Sequence, residues 1–131
     1  MKKMTAYIDG ACKGNPGKAG IGVVIYGEGG AVIYEAGRPI GEATNNIAEY
    51  EALIHALEKA SELGCGTLTV YNDSELLARQ INGFYKVKDA DLRGLFLKAK
   101  GLMHAFTDVR VRHIDREKNK CADNLADQAL W

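Results

Sequence analysis

Three short runs rich in Val, Ile and Tyr begin the chain, and glycine-containing links join them. The runs Met4–Asp9, Gly20–Tyr26 and Ala31–Gly37 predict β-strands. Both links are short, and such links are typical of antiparallel hairpins. The three strands must therefore lie side by side in one sheet. This requirement limits the possible folds more than any other feature of the sequence.

Helical and extended patterns alternate along the rest of the chain. After three hairpin strands, this order predicts an α/β fold, a mixed five-stranded sheet with helices on both faces, in one domain spanning residues 1–131. The later predicted elements are a helix from Asn46 to Leu63, a strand from Thr67 to Asn72, a short helix from Ser74 to Asn82, a third helix, a strand from Thr107 to His113, and a last helix from Lys120 to Leu130. The third helix carries a core stripe of Leu92, Leu95, Phe96, Ala99, Leu102 and Met103. The last helix is predicted to point four residues inward: Cys121, Leu125, Ala126 and Ala129.

Four acidic residues lie at the boundaries of different predicted elements. Asp9 and Asp73 end two strands, whereas Glu49 and Asp123 lie in the first turns of two helices. If the two strands are parallel neighbours, both Asp side chains meet at the carboxyl edge of the sheet, where such folds bind ligands. Clustered carboxylates repel each other unless cations hold them, and Mg²⁺ or Mn²⁺ suits oxygen ligands. The sequence therefore predicts metal-dependent phosphoryl-transfer chemistry.

Among the four acids, Glu49 gives the strongest individual evidence for a functional site, because its angular position on the helix follows from the sequence. At about 100° per residue it falls on the apolar arc with Leu53, Ala56 and Ala60, away from the other acids of this helix. A buried, ionised carboxylate is costly unless it is paired or coordinated. The alternative interpretation is that Glu49 stabilises the helix dipole from the first turn.

Composition and charge restrict the class of protein. The net charge is zero and the pI is about 6.8, whereas nucleic-acid-binding proteins usually carry a basic excess. Two Mg²⁺ ions would offset the four clustered acids and leave the remaining surface mildly basic. Cys12, Cys65 and Cys121 are too widely spaced for a zinc or disulfide framework and fit a reducing compartment. We expect a cytoplasmic monomer without a membrane-spanning segment or a signal peptide.

Four sequence segments occur in a specific order on the predicted elements. Each one alone is weak, because Asp-Gly and Gly-Asn-Pro-Gly also form ordinary turns. On these segments together, the chain resembles type 1 ribonuclease H over nearly its whole length, and it is similar to the compact branch that lacks a basic protrusion. The segments are Tyr7–Cys12 with Gly14–Gly17, Thr44–Glu49, Tyr71–Ser74, and Asn119–Ala126.

The resemblance implies a ribonuclease H-like fold in which the four acids Asp9, Glu49, Asp73 and Asp123 are the catalytic metal ligands. Members of this family hydrolyse the RNA strand of RNA–DNA hybrids and leave 3′-hydroxyl and 5′-phosphate ends. The implied mechanism uses two Mg²⁺ or Mn²⁺ ions roughly 3.5–4 Å apart. One ion activates a water molecule for in-line attack, and the other stabilises the departing 3′ oxygen.

Substrate contacts also follow from the resemblance. Asn15, Asn45 and Asn46 resemble residues that touch the hybrid in its minor groove, and Thr44 resembles part of a pocket for the DNA-strand phosphate. An amide can both donate to and accept from a 2′-hydroxyl, which is the group that distinguishes RNA from DNA. The alternative roles are a turn for Asn15 and a helix cap for Asn45 or Asn46.

Three departures from the family pattern matter. Glu42 stands where the phosphate pocket often has an Arg, and an acid there would repel a phosphate. Only Lys86, Lys88 and the aromatic residues Phe84 and Tyr85 stand where many members carry a basic protrusion.

The third departure concerns the loop before Asp123, where the family usually has a His that assists product release. His113 has a matching spacing, and Arg116 is its rival because an Arg serves in this role in the compact branch. The alternative is that His113 is an ordinary residue at a strand end and Arg116 a solvated one.

Two further functions stay open at this stage. The altered phosphate pocket could allow cleavage of double-stranded RNA in addition to RNA–DNA hybrids. The chain could also be a nucleic-acid-binding module with little activity, although a pure binder has no reason to keep four acids near phosphates.

Overall fold

The computed structural model describes residues 2–130 and contains one five-stranded sheet with the spatial order β3-β2-β1-β4-β5. The first three strands pair antiparallel, whereas β4 is parallel to both β1 and β5. This confirms the predicted mixed sheet. The strands are β1 (Lys2–Gly14), β2 (Gly17–Tyr26), β3 (Val32–Ala43), β4 (Cys65–Asn72) and β5 (Asp108–His113).

β1 and β3 extend well past their predicted ends. β1 continues past Asp9 to Gly14, because the segment predicted as a loop pairs with the start of β2. The turn itself is confined to residues 14–17, where Gly14 adopts a φ of 85° that favours glycine. β3 extends through Pro39 to Ala43, which is tolerated because β3 is an edge strand.

The helices cover the two faces of the sheet unequally. Helix α1 packs against β1 and β2 on one face, α3 packs on α1, and the last helix packs on β1, β2 and β3 from the opposite face. None of the helices in the described part of the chain combines the length and apolar composition needed to span a bilayer. The helices are α1 (Asn45–Glu62), α2 (Glu75–Ile81), α3 (Ala90–Met103), a 3-10 turn (Arg116–Lys118) and α4 (Lys120–Gln128).

The predicted packing of the helices is largely confirmed. In α3, Leu92 and Ala99 are buried, and the other residues of the stripe pack partly buried against the core. In α4, Ala126 is buried as predicted, but the inward position of Cys121 is wrong. Ala122, instead of Cys121, faces the sheet, because α4 packs directly on it and only a small side chain fits between them. Cys121 is therefore exposed.

Three glycines allow α4 to approach the sheet closely. A Cβ built on Gly22 would lie 2.0 Å from the Ala122 carbonyl oxygen, and one on Gly37 would lie 2.5 Å from the Leu125 carbonyl oxygen. Gly20 is similarly crowded by the helix backbone. We call Gly20, Gly22 and Gly37 the glycine surface. It sets the height of α4 above the sheet and therefore the position of Asp123.

Candidate active site

Three of the predicted acids meet at one edge of the sheet. Asp9 lies on β1, Glu49 lies in the second turn of α1, and Asp73 follows the last residue of β4. Each offers a carboxylate oxygen, and these oxygens lie within 4.8 Å of one another. Asp9 and Glu49 are only 5% and 7% exposed. Because α1 begins at Asn45, Glu49 lies outside the first turn, and the helix-dipole interpretation loses its basis.

A backbone hydrogen bond fixes Glu49 against β1. The N–H of Gly10 donates to Glu49 Oε1 over 2.7 Å, whereas Oε2 is buried without a hydrogen-bond partner among residues 2–130. A Cβ at Gly10 would lie 2.5 Å from the backbone carbon of Ala48, so glycine allows β1 to touch α1 here. A buried carboxylate oxygen without a partner is costly, and a bound cation would satisfy it.

Asp123 completes the group from the opposite face of the sheet. It lies in the first turn of α4, and it lines the same cavity as Asp9. Its Oδ1 also accepts a 3.4 Å hydrogen bond from Nη2 of Arg116, a residue that is otherwise exposed. The structure thus brings together all four acids and one of the two residues considered for product release.

Burial and neighbouring carboxyl groups shift the pKa values of the two buried acids, Asp9 and Glu49. Burial raises the pKa of Asp9, and the nearby carboxyl groups of Glu49, Asp123 and Asp73 raise it further. Burial also raises the pKa of Glu49, and the neighbouring Asp9 carboxyl group and the Gly10 N–H offset part of that rise. Without a cation, the site therefore favours protonated carboxyl groups. Divalent cations with a preference for oxygen ligands fit this donor set.

The predicted substrate-binding residues surround the start of α1. Asn45 and Asn46 line the cavity that holds the acids, which has a volume of about 460 Å³. Asn15 lies on the neighbouring hairpin, and its Oδ1 accepts a 3.0 Å hydrogen bond from the backbone N–H of Asn45. Thr44 is the N-cap of α1, since its hydroxyl accepts from the Ile47 N–H. The cap role considered for Asn45 or Asn46 thus belongs to Thr44.

The structure separates His113 from Arg116. His113 ends β5 and lines a different cavity with Phe84 and Tyr71, whereas Arg116 lines the cavity of the four acids. Glu42 is exposed on β3, directly opposite Lys18 on β2.

Three residues that line the acidic cavity were missed from the sequence. Asp127 follows Asp123 by one helical turn, so helical periodicity could have predicted its position. Ser74 follows Asp73 and was noted only as a helix cap, a role that its side chain fulfils by accepting from the Leu77 N–H. Cys12 lines the cavity because β1 continues beyond Asp9, an extension with no clear signal in the sequence.

The strand order and the acids at the edge of the sheet define a ribonuclease H-like protein with a carboxylate site. A family model described as "Reverse transcriptase-like" matches residues 7–129. The ribonuclease H of Chlorobium phaeobacteroides is 37% identical over 145 aligned residues, which cover 98% of this chain and 96% of that protein. The chain belongs to the ribonuclease H family.

Two further relatives support this assignment. The ribonuclease HI of Halobacterium salinarum is 42% identical over 98% of this chain, and the chain spans 64% of the length of that protein. The crystal structure of LC11-RNase H1 in complex with an RNA/DNA hybrid covers 97% of this chain with 44% identity and a TM-score of 0.92. Solved foamy-virus structures at 20–24% identity share the fold.

Proposed function

We propose that the protein is a metal-dependent endonuclease that hydrolyses the RNA strand of RNA–DNA hybrids. The observation that carries the proposal is the convergence of Asp9, Glu49 and Asp73 within 4.8 Å, with Asp123 alongside, in a cavity lined by two asparagine amides. The relative LC11-RNase H1 binds an RNA/DNA hybrid and covers nearly the whole chain, which supports the substrate class.

The four acids would hold Mg²⁺ or Mn²⁺ ions. When bound there, two such ions supply the Lewis acidity that activates a water molecule and stabilises the departing 3′ oxygen. Glu49 is suited to this role because the Gly10 N–H fixes one of its oxygens, and the other is buried without a partner among the described residues. Arg116 contacts Asp123 from the solvent side, so its guanidinium can approach a phosphate at the site.

Recognition of the RNA strand falls to the amides at the start of α1. Asn45 and Asn46 are exposed and line the same cavity as the acids, so they can reach the 2′-hydroxyls nearest the reacting phosphate. Asn15 holds the backbone of Asn45 in place by a hydrogen bond. Thr44 caps the helix while its side chain stays partly exposed, so capping is compatible with contact to the DNA-strand phosphate.

Lys18 offsets the acid at position 42. The two residues are direct cross-strand partners on β2 and β3, and both are exposed. Neighbouring opposite charges across strands attract each other, so Glu42 repels a phosphate less strongly than an isolated acid would. We therefore propose that hybrids are cleaved in preference to double-stranded RNA.

The test is cleavage of one end-labelled RNA, paired in turn with DNA and with RNA, in the presence of Mg²⁺ or Mn²⁺. We expect cutting of the hybrid to be abolished by Asp73→Asn and to persist in Asp115→Asn, a matched change at an exposed acid before the 3-10 turn. Equal cutting of both duplexes would contradict the preference for hybrids. An absence of metal-dependent cutting of either duplex would overturn the enzyme proposal and favour a binding module.

A further inference from the structure

A second cavity lies on the α4 face of the sheet, beside the acidic site, with a volume of about 510 Å³. Thr5 and Tyr7 of β1 line it together with Tyr26 at the end of β2, and three residues of the turn that follows also line it: Gly27, Glu28 and Gly30. The segment Glu117–Cys121 lines it from the other side. Its volume is typical of sites that bind small ligands.

Two aromatic rings meet at a right angle in this cavity. The ring centroids of Tyr7 and Tyr26 are 5.7 Å apart, with 84° between the ring planes. Tyr71 of β4 stacks on Tyr7, with the ring centroids 5.2 Å apart and 29° between the ring planes, and this contact fixes the orientation of the Tyr7 ring. A flat heteroaromatic ring fits such a corner by stacking on one ring with its edge against the other.

Charged residues surround the aromatic corner. Lys120 is the first residue of α4 and Lys118 ends the 3-10 turn before it; both are exposed, and Glu117 and Glu28 also line the cavity. The carboxylate of Glu28 accepts a 3.3 Å hydrogen bond from the Lys3 backbone N–H, which engages part of its charge. Both lysines lie beside the N-terminal end of α4, the end of a helix that attracts anions, so one side of the cavity is suited to a phosphate.

The cavity neighbours the acidic site along β1. Tyr7 and Asp9 project from the same face of the strand two residues apart, which corresponds to about 6.6 Å. The first turn of α4 lies between the two sites, with Cys121 lining the aromatic cavity and Asp123 lining the acidic one. Asn119 anchors this turn, because its Nδ2 donates a 2.8 Å hydrogen bond to the Ile8 carbonyl oxygen.

We propose that this aromatic cavity binds an unpaired nucleotide of the cleaved strand, with the base against Tyr26 and Tyr7 and the phosphate near Lys118 and Lys120. The inference rests on the proposed function, because the nucleotide is part of the same substrate. It adds a site for the single-stranded continuation of a hybrid. The protein then binds a junction between hybrid and single strand more tightly than a blunt hybrid.

The chain carries one thiol in each cavity, and these thiols provide the test. Cys12 lines the acidic cavity and Cys121 the aromatic one, while Cys65 is buried. The rate of labelling by a thiol reagent is measured for each residue by mass spectrometry, in the Asp73→Asn variant so that the RNA stays intact. A blunt hybrid should protect Cys12 alone, whereas a hybrid with a short single-stranded RNA extension at one end should protect both.

Variants of Tyr26 provide the quantitative arm of the test. In the same background, Tyr26→Leu should remove the gain in affinity from the RNA extension, about tenfold for one base–aromatic stack, and leave the affinity for blunt hybrid unchanged. Tyr26→Phe keeps the ring and should keep the gain. Lys120→Gln should reduce the gain, whereas Lys98→Gln, the same change at an exposed position on α3, should not.

Three outcomes would overturn the inference. The first is that an extension gives no gain in affinity, whichever end of the RNA carries it. The second is that Cys121 stays unprotected when an extended hybrid is bound. The third is that Tyr26→Leu lowers the affinity for blunt and extended hybrids equally. Failure to bind the blunt hybrid, or to protect Cys12 with it, would instead count against the proposed function. The two proposals can therefore fail separately.

Discussion

The backbone N–H of Gly10 lies 2.7 Å from Oε1 of Glu49, so a strand and a helix distant in sequence hold two carboxylates side by side. The contact depends on a residue without a side chain, because α1 crosses β1 at this point. Asp9 precedes that glycine directly. The group of acids therefore lies at a closely packed crossing of two backbones.

Gly10→Ala should destabilise the protein and reduce activity. The new Cβ would lie 2.5 Å from the backbone of Ala48, so the strand and helix must separate. We expect a loss of about 1–3 kcal/mol in the free energy of unfolding, measured by urea denaturation. Gly94→Ala on the exposed side of α3 is the control and should be neutral or stabilising by up to about 1 kcal/mol. Equal stability of Gly10→Ala and the wild type would show that the crossing is not tightly packed in solution.

The metal-free protein should lose stability as the pH rises. Burial raises the pKa of Glu49 from 4.5 to about 7 and also raises that of Asp9, so the folded state binds more protons than the unfolded state in this window. This contribution is fully present below the ordinary carboxyl pKa and is lost as the pH rises through the raised value. Denaturation in the presence of a chelator should show a decline of up to about 1.4 kcal/mol per pH unit for each proton. Asp9→Asn should flatten the decline, and an unchanged slope would contradict the assignment.

Millimolar Mg²⁺ should raise the melting temperature at neutral pH. Ions that bind the folded state alone stabilise it by mass action, by about 2.7 kcal/mol at a hundredfold excess over Kd. The shift should shrink in Asp9→Asn, because one carboxylate is lost from the group that lies within 4.8 Å. Asp115→Asn should retain the full shift. Differential scanning calorimetry with and without Mg²⁺ checks this, and identical curves for the wild type would argue against a shared site.

Arg116→Ala should lower the cleavage rate more than His113→Ala does. Arg116 contacts Asp123 at 3.4 Å and lines the acidic cavity, whereas His113 lines a different one. We expect a fall of about tenfold or more in kcat for Arg116→Ala, measured with a labelled hybrid. The melting temperature should barely change, since an exposed ion pair contributes at most about 1 kcal/mol. A larger effect of His113→Ala would require the loop to rearrange when substrate binds.

Local patterns in the sequence were enough to predict the sheet, its helices and the burial of Glu49. Glu49 could be placed because helical periodicity puts it among apolar residues, and 7% exposure confirms that position. The extent of β1 could not be predicted, because pairing between residues 10–14 and β2 depends on contacts across the hairpin. The outward position of Cys121 depends on how closely α4 approaches the sheet, which local periodicity does not encode.

The glycine surface has a consequence for how this protein tolerates change in evolution and design. Because backbone contacts at Gly20, Gly22 and Gly37 hold α4 in place, the segment between β5 and α4 does not have to set the height of the helix. Insertions or deletions in residues 114–118 can therefore alter how Arg116 approaches the site while Asp123 keeps its place. A designer could vary the length of that segment without moving α4, whereas a single methyl group added beneath α4 would displace Asp123.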